Sequence, residues 1–556
     1  MLWEAQMDKD VFTDKDLRQI EEHGLTNDEV HRQLDLFKMH KPFLKLAAPC
    51  TVGDGITVFE PEKKTSLIQI YETGGPGHNC VKFVPASGAA SRMFKVLLWY
   101  LNQDKEITRD MVSMEPLAGD GDAKQLLDFM DGLKKFAFFK ELKSALSDKG
   151  FNVDTLLEKG HFRDILRFLL TGDGLDYEDL PKGLLKFHEY PEGSRTAFEE
   201  HLVEAVSYVA DEDGRCPLHL TVSQEHLKGF DSSFKTVRPI YEERYGVAYH
   251  ISFSMQAKST DTLAVKLDNT PFRQEDGRLL FRPGGHGALL KNLNDIDGDI
   301  IFIKNIDNVV PDHLKPETFE WKKITGGYLI SIQNQIRGYM KRLASGDADH
   351  QKIRDERRTS NIERPTSNEK QTSTLGTLLA EAAAFLEEKL LLSVPEFIKS
   401  ASPEAKRTYL MERLDRPVRV CGMVKNAGEP GGGPFWVEDE TGERSLQIVE
   451  TAQIDFDSKE QRDILEASTH FNPVDLVCGV RDWQGRAFDL SRFVDPKAVV
   501  ISQKSKDGKD LKALEHPGLW NGSMARWITL FVEVPGITFN PVKTVNDLLR
   551  KEHQPG

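Results

Sequence analysis

The chain has 556 residues, more than one hydrophobic core usually supports, so two or three domains are expected. Its 73 basic against 88 acidic side chains give a formal charge of −15. That disfavours a broad nucleic-acid or anionic-membrane surface but leaves room for a local basic pocket that takes phosphates.

Cys50, Cys80, Cys216, Cys421 and Cys478 are scattered and form no CxxC pair. Reduced, buried thiols are expected, not structural zinc or a disulfide framework. The start shows no basic segment followed by an apolar one, and no run approaches the roughly 20 apolar residues of a membrane span. A cytoplasmic protein with neither a membrane nor a nucleic-acid partner is expected.

In chain order, residues 1–75 read as an N-terminal helical segment, with Thr26 at a helix cap. An apolar strand over 81–86 runs into a loop of small residues, Ser87-Gly-Ala-Ala-Ser-Arg92, and a helix over 93–101. Residues 102–175 are mostly helical. Pro181-Lys182-Gly183 reads as a turn leading into a strand at 184–187. The helix expected over 196–210 places Phe198, Leu202, Ala205, Val206 and Val209 on one face. A strand at 218–223, a helix at 232–245 and a strand at 249–253 follow.

Pro283-Gly-Gly-His-Gly287 then opens an amphipathic helix, and the apolar strand starting at Asp299 ends in Asn305-Ile-Asp307-Asn308. The alternation from 81 to 345 predicts an α/β fold with a mixed, mainly parallel, Rossmann-like sheet and helices on both faces. The core is expected over 76–345, with a helical insertion at about 95–180. Residues 346–376 are polar and read as a linker or mobile loop. An α+β C-terminal part covers 377–556, β-rich from 418.

In a parallel sheet, ligands bind at the carboxyl ends of the strands. Asp307 at such an end suits a metal-bound phosphate. The small residues of 86–91 let the backbone approach a ligand, and Arg92 offers a bidentate phosphate grip. Taken alone, Lys182, Glu450, Asn472 and Lys543 read equally as ordinary solvated or turn residues. His286 reads as shaping its loop, not as a base.

In order, these pieces resemble the UDP-sugar pyrophosphorylases, especially the UDP-N-acetylhexosamine type. That family's L-x-G-G-x-G-T-R-L loop resembles Ala86-Ser87-Gly88-Ala89-Ala90-Ser91-Arg92-Met93. Its P-K-G resembles Pro181-Lys182-Gly183, its T-S strand end Thr221-Val-Ser223, and its F-x-Q Phe253-Ser-Met-Gln256. Its P-x-G-x-G-G resembles Pro283 to Gly287, and its D-N Asp307-Asn308. Its V-V-E-Y-S-E-I, F-N-x-G-N and E-F-S-P-L-K-N resemble the segments at Ile448 to Ile454, Phe471-Asn472 and Thr538 to Thr544. The order spans about 81–545, which is more specific than any single short motif. The whole chain also resembles a bacterial family described as a domain of unknown function.

The resemblance implies a nucleotidyltransferase, GT-A-like sheet. It implies that the chain joins a nucleoside triphosphate, UTP by family type, to a sugar 1-phosphate and releases pyrophosphate. Arg92, Lys182, Asp307 and Lys543 would be catalytic, with Mg²⁺ on Asp307. Ala86, Ser87, Gly88, Ala89, Lys182, Gln256 and Gly285 would bind the nucleotide, and Glu450 and Asn472 the sugar. Base, sugar and oligomeric state are left open. Ser87 and Ala90 stand where the family has glycines, which keeps a second reading open: an inactive nucleotide- or sugar-binding protein on the same fold. A hydrolase or glycosyltransferase with a similar sheet is a third.

Overall fold

The computed structural model describes residues 11–39, 43–88, 90–103, 105–114, 120–345, 367–426, 428 and 432–556. Of the expected linker, 346–366 lies outside these residues, and 367–376 belongs to a helix, Ser367–Glu388.

One sheet organises the molecule. Its strands in chain order are β1 (Thr51–Val52), β2 (Gly55–Thr57), β3 (Cys80–Pro85), β4 (Arg215–Thr221), β5 (Ala248–Ser254), β6 (Ile300–Lys304), β7 (Val418–Lys425), β8 (His470–Phe471), β9 (Asp475–Gly479) and β10 (Ile528–Glu533). They lie in the order β1-β2-β10-β7-β9-β6-β3-β4-β5, with β8 paired to β7. β6, β3, β4 and β5 are parallel, as are β1, β2, β10 and β7. β9 joins the two groups antiparallel to both. The expected mainly parallel α/β sheet is present, and strands from the part after 416 complete it. Every residue of β6 is buried, and so is β7 up to Val424, as befits strands covered on both faces.

Side chains alternate between two cores. Val84, Leu218, Leu220, Ile300 and Phe302 face the helices α1 (Ala197–Val206), α2 (Leu227–Tyr245) and α4 (Lys315–Ala344). Phe83, Ile301, Ile303 and Leu476 face the short helix α3 (Leu289–Asn294). The first core continues into the helices between 95 and 170 through Phe94, Phe129, Phe136, Phe138 and Phe168.

Two local expectations change. The strand placed at 184–187 is Lys186–Tyr190, and it folds back on Gly193–Thr196 as a hairpin outside the central sheet. Pro191-Glu192 closes that hairpin before the chain can join the parallel layer. The helix expected from 232 begins at Leu227. Thr26 does cap its helix, accepting the Glu29 N–H at 3.2 Å.

The helices Asp14–Glu22 and Asn27–Lys38 pack through Ile20, Val30 and Leu34 onto Leu263, Leu279 and Leu514. Arg273 clamps Asp16 bidentately at 2.7 and 2.8 Å. This small unit brings residues 514–520 against the Gly-rich loop.

All five cysteines are free and buried, and burial pushes Cys80 and Cys216 up to about 12. A thiol-reactive dye at about pH 8 is therefore expected to label none of them until denaturant is added. Rapid labelling of the native protein at any of the five would contradict this burial. Among the described residues, no helix is long and apolar enough to cross a membrane.

Candidate functional site

Asp307 lies three residues beyond β6, in a turn where the Asn308 N–H donates to Asn305 O at 3.2 Å. The residue is 7% exposed. Lys182 Nζ and Lys543 Nζ each donate to Asp307 Oδ2 at 3.1 Å, and Lys182 Nζ also donates to Val542 O at 2.9 Å. Three segments far apart in sequence thus meet on one oxygen. Burial pushes the Asp307 carboxyl upward, but the charges of Lys182 and then Lys543 outweigh it, so its pKa is lowered. Two ammonium groups face one carboxylate, an excess of positive charge at the strand ends of an acidic chain.

Backbone bonds hold the three segments. Lys182 follows Pro181 on a single 3-10 turn, and its N–H donates to Gly88 O at 3.2 Å. Ala90 N–H donates to Leu180 O at 3.2 Å, so the small-residue loop and the Pro-Lys-Gly turn are stitched together. Asn308 Oδ1 accepts the Asn540 N–H at 2.9 Å, and Val542 N–H donates to Asp307 O at 3.1 Å. Val545 N–H reaches Met93 O at 3.2 Å, which docks the strap carrying Lys543 onto the end of the same loop.

In the loop, Ala86 is buried and donates to Thr221 O at 2.9 Å, while Ser87 and Gly88 are exposed, with open space beside Gly88. Ala89 lies outside the described residues. Arg92 is exposed and forms no ion pair among the described residues. Gln256, two residues past β5, is half-buried next to the exposed Met255. Asn292 of α3 ties that segment down, donating to Ser254 Oγ at 2.7 Å and Met255 O at 2.9 Å.

The Gly-rich loop packs closely against a distant segment of the chain. It leads into a 3-10 turn, His286–Ala288, and then the six-residue α3. A Cβ on Gly285 would lie 2.6 Å from Glu515 Oε2, and one on Gly287 2.2 Å from Pro517 O. These glycines let the loop press against residues 515–517, and Gly285 also has φ 73°.

Glu450 follows the strand Arg444–Val449, and its Oε1 lies 3.2 Å from His286 Nε2. Asn472 is 6% exposed; its Oδ1 accepts the Val474 N–H at 3.1 Å and its N–H donates to Gly432 O at 2.8 Å. A Cβ on Gly432 would lie 3.5 Å from Glu450 Cγ, so Glu450 and Asn472 flank the same glycine.

Sequence reasoning missed the contact between His286 and Glu450, which are 164 residues apart. It also passed over His219, whose ring nitrogens lie 2.7 Å from Ser252 Oγ and Ser254 Oγ across β4 and β5. The signal for His219 was present: His219, Thr221, Ser252 and Ser254 alternate with apolar residues on two strands.

Asp307 Oδ1 and the Thr221 hydroxyl are buried with no hydrogen-bond partner among the described residues. Among the described residues no group of three or more His, Cys, Asp or Glu side chains could hold a metal. Mg²⁺ commonly takes one or two carboxylates and completes its octahedron with phosphate oxygens and water. Asp307 Oδ1 is a buried carboxylate oxygen free to serve as one ligand of such an ion, and the described residues supply no enclosed metal cage.

The model of a family described as a domain of unknown function (DUF4301) matches residues 13–377 and 361–554. No curated protein matches the sequence. Among solved structures, a mutant UDP-glucose pyrophosphorylase from Leishmania major is similar at 12% identity and TM-score 0.42, covering 97% of this chain and 80% of that one. A uridine diphosphate N-acetylglucosamine pyrophosphorylase from Trypanosoma brucei, in complex with an inhibitor, is similar at 11% identity and TM-score 0.42, covering 95% and 75%.

Proposed function

We propose a function for a chain that belongs to the family described as a domain of unknown function (DUF4301): it is a nucleotidyltransferase that joins a nucleoside triphosphate to a sugar 1-phosphate and releases pyrophosphate. The observation that carries this reading is the meeting of Lys182 and Lys543 on the buried Asp307 at the carboxyl ends of parallel strands. The ordered motif resemblance over about 81–545 supports it.

A phosphate oxygen of the sugar 1-phosphate attacks the α-phosphorus of the triphosphate. The bond from that phosphorus to the bridging oxygen breaks, and pyrophosphate leaves with the electron pair. No side chain needs to act as nucleophile, because positioning and charge neutralisation supply the catalysis. Lys182 and Lys543 neutralise charge on the phosphates, and Arg92 adds a third cation from the loop. Ala86, Ser87, Gly88 and Ala89, with Gln256 and Gly285, bind the nucleotide, whose expected base is uracil. Glu450 and Asn472 bind the sugar. Mg²⁺, held on Asp307, would supply further neutralisation of phosphate charge when bound.

The test is pyrophosphate release from Mg²⁺, each nucleoside triphosphate and a panel of sugar 1-phosphates. Wild type is expected to turn over at least one pair, and Asp307→Ala to lose activity by about 10²-fold or more. Full activity in Asp307→Ala would sink the assignment of that residue. Triphosphate binding without pyrophosphate release by wild type would leave a nucleotide-binding protein on the same fold.

A further inference from the structure

We infer that His286 is a positioning residue that fixes Glu450 for a sugar hydroxyl, a role that rests on the sugar 1-phosphate reading above. The ring is held on three sides. It stacks on Trp520, with ring centroids 4.3 Å apart and planes 24° from parallel. Nδ1 accepts the Leu519 N–H at 3.1 Å. In the neutral ring the proton is therefore on Nε2, which donates to Glu450 Oε1 at 3.2 Å. The neighbouring chain leaves the ring no slack: a Cβ on Gly518 would lie 2.6 Å from His286 Cε1 and 2.9 Å from Nε2.

This geometry separates positioning from base catalysis. Both ring nitrogens are engaged, one by a backbone donor and one by the carboxylate, so the ring has no lone pair left to take a substrate proton. Glu450 sits at the end of a strand, about a third exposed, where its side chain forms a capping box with Gln453, whose Oε1 accepts the Glu450 N–H at 3.0 Å; His286 is the side chain that holds the carboxylate from the other side. Fixing Oε1 leaves Oε2 as an acceptor of defined position, which suits a hydroxyl donor and removes rotamer freedom before the ligand arrives. The packing of Gly285 and Gly287 against residues 515–517 brings His286 to this place. The close packing of the Gly-rich loop thereby presents its histidine to Glu450.

The test compares wild type with His286→Leu and His286→Gln, varying glucose 1-phosphate, N-acetylglucosamine 1-phosphate and the triphosphate separately. His286→Leu is expected to raise KM for the sugar phosphate about tenfold while KM for the triphosphate moves less than about twofold. His286→Gln, which can still donate to Glu450, is expected to recover most of the loss. Adding His286→Leu to Glu450→Gln is expected to cost nothing further, because the two act as one unit. Equal changes in both KM values, or none, would overturn the inference while leaving the reaction standing. Should wild type bind a sugar phosphate without turnover, calorimetric affinities of the same variants decide: a selective tenfold weakening upholds the positioning role, and unchanged affinity overturns it. Absence of any sugar-phosphate binding by wild type overturns both.

Discussion

Glu204→Gln is expected to lower the free energy of unfolding by about 3–5 kcal/mol near neutral pH, because it strips two buried lysines of their counter-ion. Glu204 on α1 is fully buried; its Oε2 accepts Lys82 Nζ at 3.0 Å and its Oε1 accepts Lys304 Nζ at 2.9 Å. Lys82 lies on β3 and Lys304 on β6, inside the sheet. Lys322 of α4 adds a third buried ammonium, paired with Asp475. Three lysines face two carboxylates, and burial together with repulsion from Lys304 and Lys322 carries Lys82 down to about 7 against the pull of Glu204. Removing the Glu204 charge depresses Lys82 further.

The pH dependence then has a definite sign. Between the depressed folded value and about 10.4 in the unfolded chain, the unfolded state binds more protons, so stability rises with pH. The deficit of Glu204→Gln is therefore expected to shrink as pH rises from about 5.5 to about 8.5 and to level off once Lys82 is deprotonated in both folded proteins. Urea denaturation at those two pH values measures it. A deficit that is below about 1 kcal/mol, or that grows with pH, would contradict the account of a buried and under-neutralised cluster.

This cluster also shows where sequence reading stops. Periodicity exposed the strands at 81–86, 218–223, 249–253 and 299–304, because each has an apolar run set between turns and helices. It did not reveal that Lys82 and Lys304 point inward, since a lysine within an apolar strand normally snorkels to solvent. Nor could it place β7, β9 and β10 beside β6 and β3. Strand order depends on long-range pairing, and Ile300↔Gly479 and Val418↔Ile528 leave no local trace. The hairpin at 186–196 looked like another sheet strand because the four residues read at 184–187 cannot distinguish the two settings.

The site was legible to the same degree. Asp307 was visible because a carboxylate ending an apolar strand is unusual, and Lys182 and Lys543 were legible only through ordered motif resemblance. The structure brings these three together. The resemblance gave Gly285 a nucleotide contact; the structure adds that the missing Cβ atoms of Gly285 and Gly287 make room for Glu515 and Pro517. A glycine marks close approach without saying to what. His286 and Glu450 were each noted, but their pairing depends on contact between segments 164 positions apart.

Lys182→Met is expected to reduce kcat/KM by about 10²–10³-fold in the proposed reaction, the scale of losing one preorganised group that stabilises transition-state charge. Lys543→Met is expected to cost less. The difference lies in how the two ammonium groups are held. Lys182 is 14% exposed at its side chain and fixed by both Asp307 Oδ2 and Val542 O, whereas Lys543 is 58% exposed and, among the described residues, bonded at Nζ to Asp307 alone. A buried, doubly anchored cation needs no reorganisation when phosphate charge develops and is poorly screened; an exposed one is weakened by solvent and salt.

Lys182→Arg should not rescue fully, because a planar fork cannot reproduce a compact ammonium between Asp307 and the Val542 carbonyl. Raising ionic strength from about 0.05 to 0.5 M, which shortens the Debye length several-fold, should erode the Lys543 contribution more than that of Lys182. The decisive comparison is steady-state kinetics of the two methionine variants at both salt concentrations. If Lys543→Met proves the more damaging, or if Lys182→Met leaves kcat/KM within about threefold of wild type, then the ammonium buried beside Asp307 is a structural counter-ion and the proposed charge neutralisation falls to other groups.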